Sequence, residues 1–189
     1  MRRTGIFVSL SACVGLLVAA AATVDVAAEK EKQRGKREVV LWDDCDPTDP
    51  LWAPTGGCTL SEGAVSFAEF NAFRLSPLAP SLVGHPAWAF EPSYLTIKAG
   101  KAIAVSNEGG RVHTFTHVAQ FGGGRVPPLN TSQPGIPPLT PASECVSPGV
   151  IDIPGGGKSV VEGLAPGDHR FQCSIHPWMR ALVKVSEEK

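Results

Sequence analysis

Seven residues near the C-terminus carry the most pointed chemistry in this chain: Cys173-Ser174-Ile175-His176-Pro177-Trp178-Met179. A thiolate, an imidazole and a thioether are a soft, a borderline and a weak donor, a combination that suits copper better than harder ions. Pro177 removes a backbone donor beside His176 and stiffens the loop. Such rigidity would serve electron transfer, because ligands that cannot move between Cu(II) and Cu(I) leave little to reorganise. Apart from Met1, Met179 is the only methionine in the chain. A fourth ligand has to come from elsewhere, and Arg111-Val112-His113-Thr114-Phe115-Thr116-His117 offers two histidines. Four residues apart on an extended strand, they would stand about 13 Å from each other, so one ion cannot take both. His113, beside the Gly109-Gly110 turn, is the choice. His117 would then line the core or rim, held by a hydrogen bond.

Other readings of these residues are weaker. Cys173 could instead be a disulfide cysteine beside two surface residues. Structural zinc prefers four Cys/His ligands and rarely uses methionine. Haem attachment needs a Cys-x-x-Cys-His run, which is absent. Asp43, Asp44, Asp46 and Asp49 crowd around Cys45 without EF-hand spacing and read as an acidic turn. His85 reads as a turn residue, His169 as a hydrogen-bonded core residue, and Trp178 as a hydrophobic lid or partner contact. No Ser/His/Asp or paired-carboxylate constellation appears, and the His-x-His pairs of multicopper oxidases are missing, so no enzymatic activity is expected.

Short strands have to position these ligands. Trp88 to Gly100 alternates, with Leu95 and Ile97 on one face, and Ala102–Val105 and Val112–Val118 follow as further strands. Ile151–Ile153, Ser159–Val161, His169–Cys173 and Ala181–Val185 complete the set, separated by Gly/Pro turns. Phe67, Phe70 and Phe73 recur every third residue within Ala64–Phe73, which predicts a short packed helix. Residues 120–149 form a long insertion with seven prolines and the Gly122-Gly123-Gly124 tract, expected to follow a stiff, extended path. With 20 glycines and 17 prolines among 189 residues, long helices are disfavoured and a turn-rich all-β domain is expected.

Residues 1–28 read as a signal peptide or N-terminal anchor: Met1-Arg2-Arg3 precedes an apolar run from Ile6 to Ala22. Residues 29–38 alternate in charge with no apolar face and read as a solvated linker. Residues 39–86 form an N-terminal extension, and residues 87–189 the main domain. Export favours disulfides among Cys45, Cys58 and Cys145 if Cys173 is reserved for metal. The short loop between Cys45 and Cys58 makes that pair the first choice, with Cys145 as an alternative partner to either. Seventeen basic against 18 acidic residues leave no nucleic-acid footprint.

From Trp88 to Val185 the chain resembles the cupredoxins, the small blue-copper family of plastocyanin, pseudoazurin and amicyanin. Phe90-x-Pro92-x-x-Leu95-Thr96-Ile97-Lys98-Ala99-Gly100 is similar to that family's opening strand. Pro166-Gly167-Asp168-His169-Arg170-Phe171-Gln172-Cys173 is similar to the strand entering its ligand loop, and Cys173-x-x-His176-Pro177-x-Met179 resembles amicyanin's short loop. The resemblance implies an eight-stranded Greek-key β-sandwich with one type 1 copper on His113, Cys173, His176 and Met179. It also implies a solvent-edge His176 ringed by an apolar patch. Where the family has Pro-His-Asn at the first ligand, this chain has Val112-His113-Thr114, so Thr114 and Ser174 would have to tie the two ligand segments together.

The function these readings imply is one-electron transport between redox partner proteins, in the periplasm or outside the cell, possible membrane tethering included, with no small-molecule substrate. A copper chaperone or sequestration protein would use the same ligands but usually carries Met- or His-rich tracts, which this chain lacks. A non-redox exported interaction module has no reason to assemble Cys, two His and Met.

Overall fold

Alternation of buried and exposed residues explains most of the strands. In β1 (Glu38–Trp42), Val39 and Leu41 are buried while Trp42 is exposed. In β8 (Arg180–Ser186), Ala181, Val183 and Val185 face the interior and Lys184 faces out. The others are β2 (Ala89–Glu91), β3 (Tyr94–Lys98), β4 (Ile103–Asn107), β5 (Thr116–Val118), β6 (Lys158–Val161) and β7 (Gly167–Gln172). The structure, a computed structural model, describes residues 37–75, 85–131 and 138–187. The leader at 1–28 and nearly all of the charged linker at 29–38 lie outside the described residues. Among the described residues, no helix is long and apolar enough to cross a membrane.

Among the described residues, eight strands form two four-stranded sheets, ordered β2-β1-β4-β6 and β3-β8-β7-β5. One hydrophobic core joins them: Val39, Leu41, Ile103 and Val105 from the first sheet meet Ile97, Phe171, Ala181, Val183 and Val185 from the second. This is the cupredoxin-like β-sandwich that the sequence resemblance implies.

Three expectations are corrected in detail. The segment assigned to the extension contributes an inner strand, because β1 pairs antiparallel with β2 and parallel with β4. The strand expected over Val112–Val118 is regular only at Thr116–Val118. His113 instead makes an isolated antiparallel bridge to Ile153, all that forms of the strand expected at Ile151–Ile153. The reason is a competing set of bonds: Asn107 Nδ2 donates to the Arg111 and Ile153 carbonyls (2.7 and 2.8 Å), holding the chain in a turn before His113. Finally, the insertion does not run extended throughout. Asn130 folds back so that its amide accepts from Gly124 N–H (2.7 Å) and donates to Gly124 O (2.9 Å). Residues 132–137 of the insertion lie outside the described residues.

The helix, α1 (Phe67–Leu75), begins at Ser66, whose hydroxyl accepts from Glu69 N–H (3.1 Å), as a Ser-x-x-Glu start favours. Asp49 receives the Phe67 N–H (2.7 Å). These caps aim Phe67 and Phe70 at Trp52, with ring centroids 5.0 and 5.4 Å away.

Candidate metal centre

The loop from Cys173 to Met179 joins β7 to β8 and is closed by its own backbone. Cys173 N–H donates to Met179 O (3.0 Å), and Met179 N–H donates to His176 O (2.9 Å). His176 N–H donates to the Cys173 sulfur (3.4 Å). The Cys173 sulfur lies 3.7 Å from His176 Nδ1 and 3.9 Å from His113 Nδ1, and the three donor atoms stand within 4.8 Å of one another. An imidazole nitrogen and a thiolate bound to one ion at about 2.0 and 2.3 Å, roughly 110–130° apart, are separated by about 3.5–3.9 Å. The observed spacings therefore match a single trigonal centre. All three residues are buried, and so is Met179 on the same loop.

Asp43 orients the first histidine. Its carboxylate accepts from His113 Nε2 (2.7 Å), Arg111 N–H (2.9 Å), Gly110 N–H (3.1 Å) and Cys45 N–H (3.3 Å). With Nε2–H committed to Asp43, Nδ1 is the nitrogen that faces Cys173 and the one a metal would take, the arrangement that metal-ligating histidines commonly use. Gly109 permits the approach, since a Cβ there would lie 2.2 Å from the Asp43 carboxylate oxygen. The acidic turn read from the sequence thus contains a residue that reaches the centre. Nothing in local spacing marks Asp43, which is 70 residues from His113.

The charges follow from these contacts. Burial opposes ionisation of Cys173, but the imidazoles of His113 and His176 hold its thiol well below the usual cysteine value. Burial likewise opposes a charge on His113, yet Asp43 and the Cys173 sulfur push it up to about 9. His176 is held below the usual histidine value by burial, against the pull of Cys173. Burial works against the Asp43 charge, and the His113, Arg111 and Cys45 donors outweigh it, leaving Asp43 below its usual value. The cluster is a buried thiolate with its imidazoles poised around it, a donor set ready for a borderline-soft ion.

The two ligand-bearing segments are tied by hydroxyls. Ser174 N–H donates to Thr114 Oγ1 (2.7 Å), and Thr114 Oγ1 donates to Ser174 Oγ (3.1 Å). The Pro177 carbonyl accepts from Arg180 Nε (2.7 Å), which pins the loop's far end. The insertion adds a second wall: Arg125 N–H donates to Ser174 O (2.6 Å), and a Cβ on Gly124 would lie 2.2 Å from that oxygen. Gln172, fully buried, accepts from Gly122 N–H (3.0 Å) and donates to Gly123 O (3.2 Å).

His176 is not at the solvent edge. Only 5% of its surface is exposed, and it sits among Trp178 (5.5 Å), Phe70 of α1 (6.5 Å) and Trp88 (6.5 Å). The correction has a plain cause: the extension folds an aromatic cluster of Trp52, Phe67 and Phe70 over the place where an apolar patch was expected. His85 belongs to that cluster; it is buried against Phe70, Phe73 and Trp88, although its Nδ1 also accepts from Ala87 N–H as a turn residue would. His169, expected in the core, is half-buried and bonds His117, which is exposed at the rim. Cys45 and Cys58 form the disulfide, and Cys145 is a free, buried thiol.

No family model matches the chain, and no curated protein matches it. Among solved structures, a purple cupredoxin from Nitrosopumilus maritimus is 12% identical, over 79% of this chain and 98% of its own, with a TM-score of 0.38. The oxidised plastocyanin of Dryopteris crassirhizoma is 17% identical, over 56% of this chain and 93% of its own, with a TM-score of 0.36. A copper(I) amicyanin variant is 16% identical, over 52% of this chain and 73% of its own, with a TM-score of 0.34. Scores this low assign neither residues nor activity to this chain.

Proposed function

We propose that this protein is an exported one-electron carrier that holds one copper ion on His113, Cys173, His176 and Met179. The observation that supports this most is the buried triangle of His113 Nδ1, Cys173 Sγ and His176 Nδ1, whose spacings suit one trigonal ion. Bound copper supplies a centre that accepts and gives up a single electron. The chain's own residues do the rest: Asp43 fixes the His113 tautomer, the backbone of the loop holds the sulfur in place, and the aromatic cover keeps water from the ligands. A site closed in this way suits retention of the ion over handing it on, which sets the carrier above the copper-chaperone reading. Export fits the leader-like N-terminus and a structural disulfide; redox partner proteins, not a small-molecule substrate, would exchange the electrons.

The optical spectrum of the copper-loaded protein tests the proposal. One copper per chain should give an intense thiolate-to-copper band that reductant bleaches reversibly, and Cys173→Ser should abolish it. A loaded protein without that band would overturn the reading. Transfer of copper to a metal-free partner faster than electron exchange would replace it with the chaperone function.

A further inference from the structure

Away from the cysteine loop, on the outer part of the second sheet, two more imidazoles meet. His117 on β5 stands opposite Phe171 on β7, so His169, two residues earlier on β7, shares its face. His117 Nε2 and His169 Nδ1 are 3.1 Å apart. We propose that His117 and His169 form a second metal site, exposed at the surface, that takes a borderline divalent cation such as zinc or copper(II).

The geometry of the pair supports this. Two imidazole nitrogens at about 2.0–2.1 Å from one ion, at angles of roughly 95–109°, lie about 3.0–3.4 Å from each other. The observed separation falls inside that range, so the nitrogens need not move apart; the rings need only turn in place to aim both lone pairs at one ion. His169 is also held in the right tautomer. Its Nε2 lies 2.7 Å from the Ala165 carbonyl oxygen, which only accepts, so Nε2 carries the hydrogen and Nδ1 offers a lone pair. The ring of His117 is stacked on Phe171, 5.1 Å between centroids, which supports it on one face. In the metal-free protein His117 Nε2–H donates to His169 Nδ1. A bound cation would sit beside the line joining the two nitrogens, about 2.0–2.1 Å from each, and the His117 hydrogen would leave as a proton to solvent or move to Nδ1 of the same ring.

The surroundings suit a cation. Glu144 sits nearby on the same wall, its carboxylate fixed by the Ala119 N–H (2.9 Å) and the Ser143 hydroxyl (2.9 Å). His117, with Ser143, Glu144 and Ser147, lines a surface cavity of about 480 Å³ that His169 does not reach, so water has access to the site from the His117 side. Burial and the neighbouring imidazole hold His117 below the usual histidine value, a shift that favours the neutral ring a metal needs. The site shares no ligand with the cysteine centre.

Zinc titration of the full chain, read by the ring-proton resonances of the individual histidines, tests this. The His117 and His169 signals should shift together and saturate, separately from those of His113 and His176. His169→Gln should weaken that response at least tenfold, the scale on which lost metal-site partners act, and His117→Gln should do the same from the other strand. Both positions are partly or fully exposed, and unchanged thermal unfolding of either variant would exclude a folding defect. Signals that stay fixed in millimolar zinc, or that shift identically in both variants, would overturn the site and show a simple hydrogen-bonded pair. Neither result touches the thiolate band of the cysteine centre, so failure here and failure there are distinguishable.

Discussion

Asp43 supplies His113 with something no neighbour in sequence offers, a buried negative partner 2.7 Å from Nε2. Replacing it by Asn keeps the size but removes the charge and turns a donor toward the Arg111 or Gly110 N–H. Asp43→Asn is expected to weaken copper binding roughly 10–100-fold and to raise the reduction potential, because the oxidised centre loses a stabilising anion. Chelator competition and a redox titration would measure both; unchanged affinity and potential would reduce Asp43 to a turn residue. Cys145 gives a second prediction at this scale. Burial pushes its thiol up to about 11 from an ordinary value of 9.0, with Cys173 and Glu144 adding to the shift. A group that ionises later in the folded state than in the unfolded one contributes stability that is complete below about 9 and lost as pH climbs through about 11. Urea unfolding across alkaline pH should therefore show a flatter decline for Cys145→Ala than for the native protein. Parallel declines would refute this.

Among the elements, α1 changes the character of the site most. Its Phe70 packs against Trp52, Trp88 and Trp178 and comes within 6.5 Å of the His176 ring. A bare sandwich would leave that histidine for a partner to touch; in the proposed carrier an electron would have to pass the aromatic cover or the cover would have to yield. Phe70→Ala should cost about 3–5 kcal/mol of stability as a large-to-small core change. It should also speed electron exchange with bulky external oxidants, since His176 becomes approachable, and Phe70→Leu should do the same with a smaller loss of stability. Stopped-flow exchange rates beside denaturant unfolding would separate the two effects. If the rates do not change while stability falls, the helix is packing only.

For the molecule as a whole, the disulfide joins the parts that the strands alone leave loosely connected. Cys45 and Cys58 close a 13-residue separation, and their sulfurs pack against Gly110, where a Cβ would meet them at 2.7 and 2.8 Å. Gly110 lies in the turn that Asp43 binds, so the bridge braces the far end of β1 against the approach to His113. Arg111 adds to the brace, bonding Gly57 O and Thr55 O and lying over the Trp52 ring. Opening a loop of this length should cost about 3 kcal/mol. The paired Cys45→Ser and Cys58→Ser protein should show that loss in denaturant unfolding and should bind copper more weakly, because His113 is then less well held. A variant with native stability would mean that the surrounding packing suffices.

Much of the candidate site is legible in the sequence because its signal is local. The loop Cys173 to Met179 lies between two strands whose alternation is plain, and the covalent chain alone brings Cys173, His176 and Met179 to one place. Strand spacing and a neighbouring turn, both short-range properties, separate His113 from His117, even though regular strand forms only at Thr116–Val118 and His113 makes an isolated bridge. What the sequence could not decide was every contact made across the fold. Asp43 reaches His113 across 70 residues, Phe70 covers His176 across 106, and His169 finds His117 only because β5 and β7 pair in one register. Residue types and short spacings settle which donors can share an ion. Closure of the two sheets alone decides which charges, rings and glycines surround them, because those neighbours are set by packing and not by proximity along the chain.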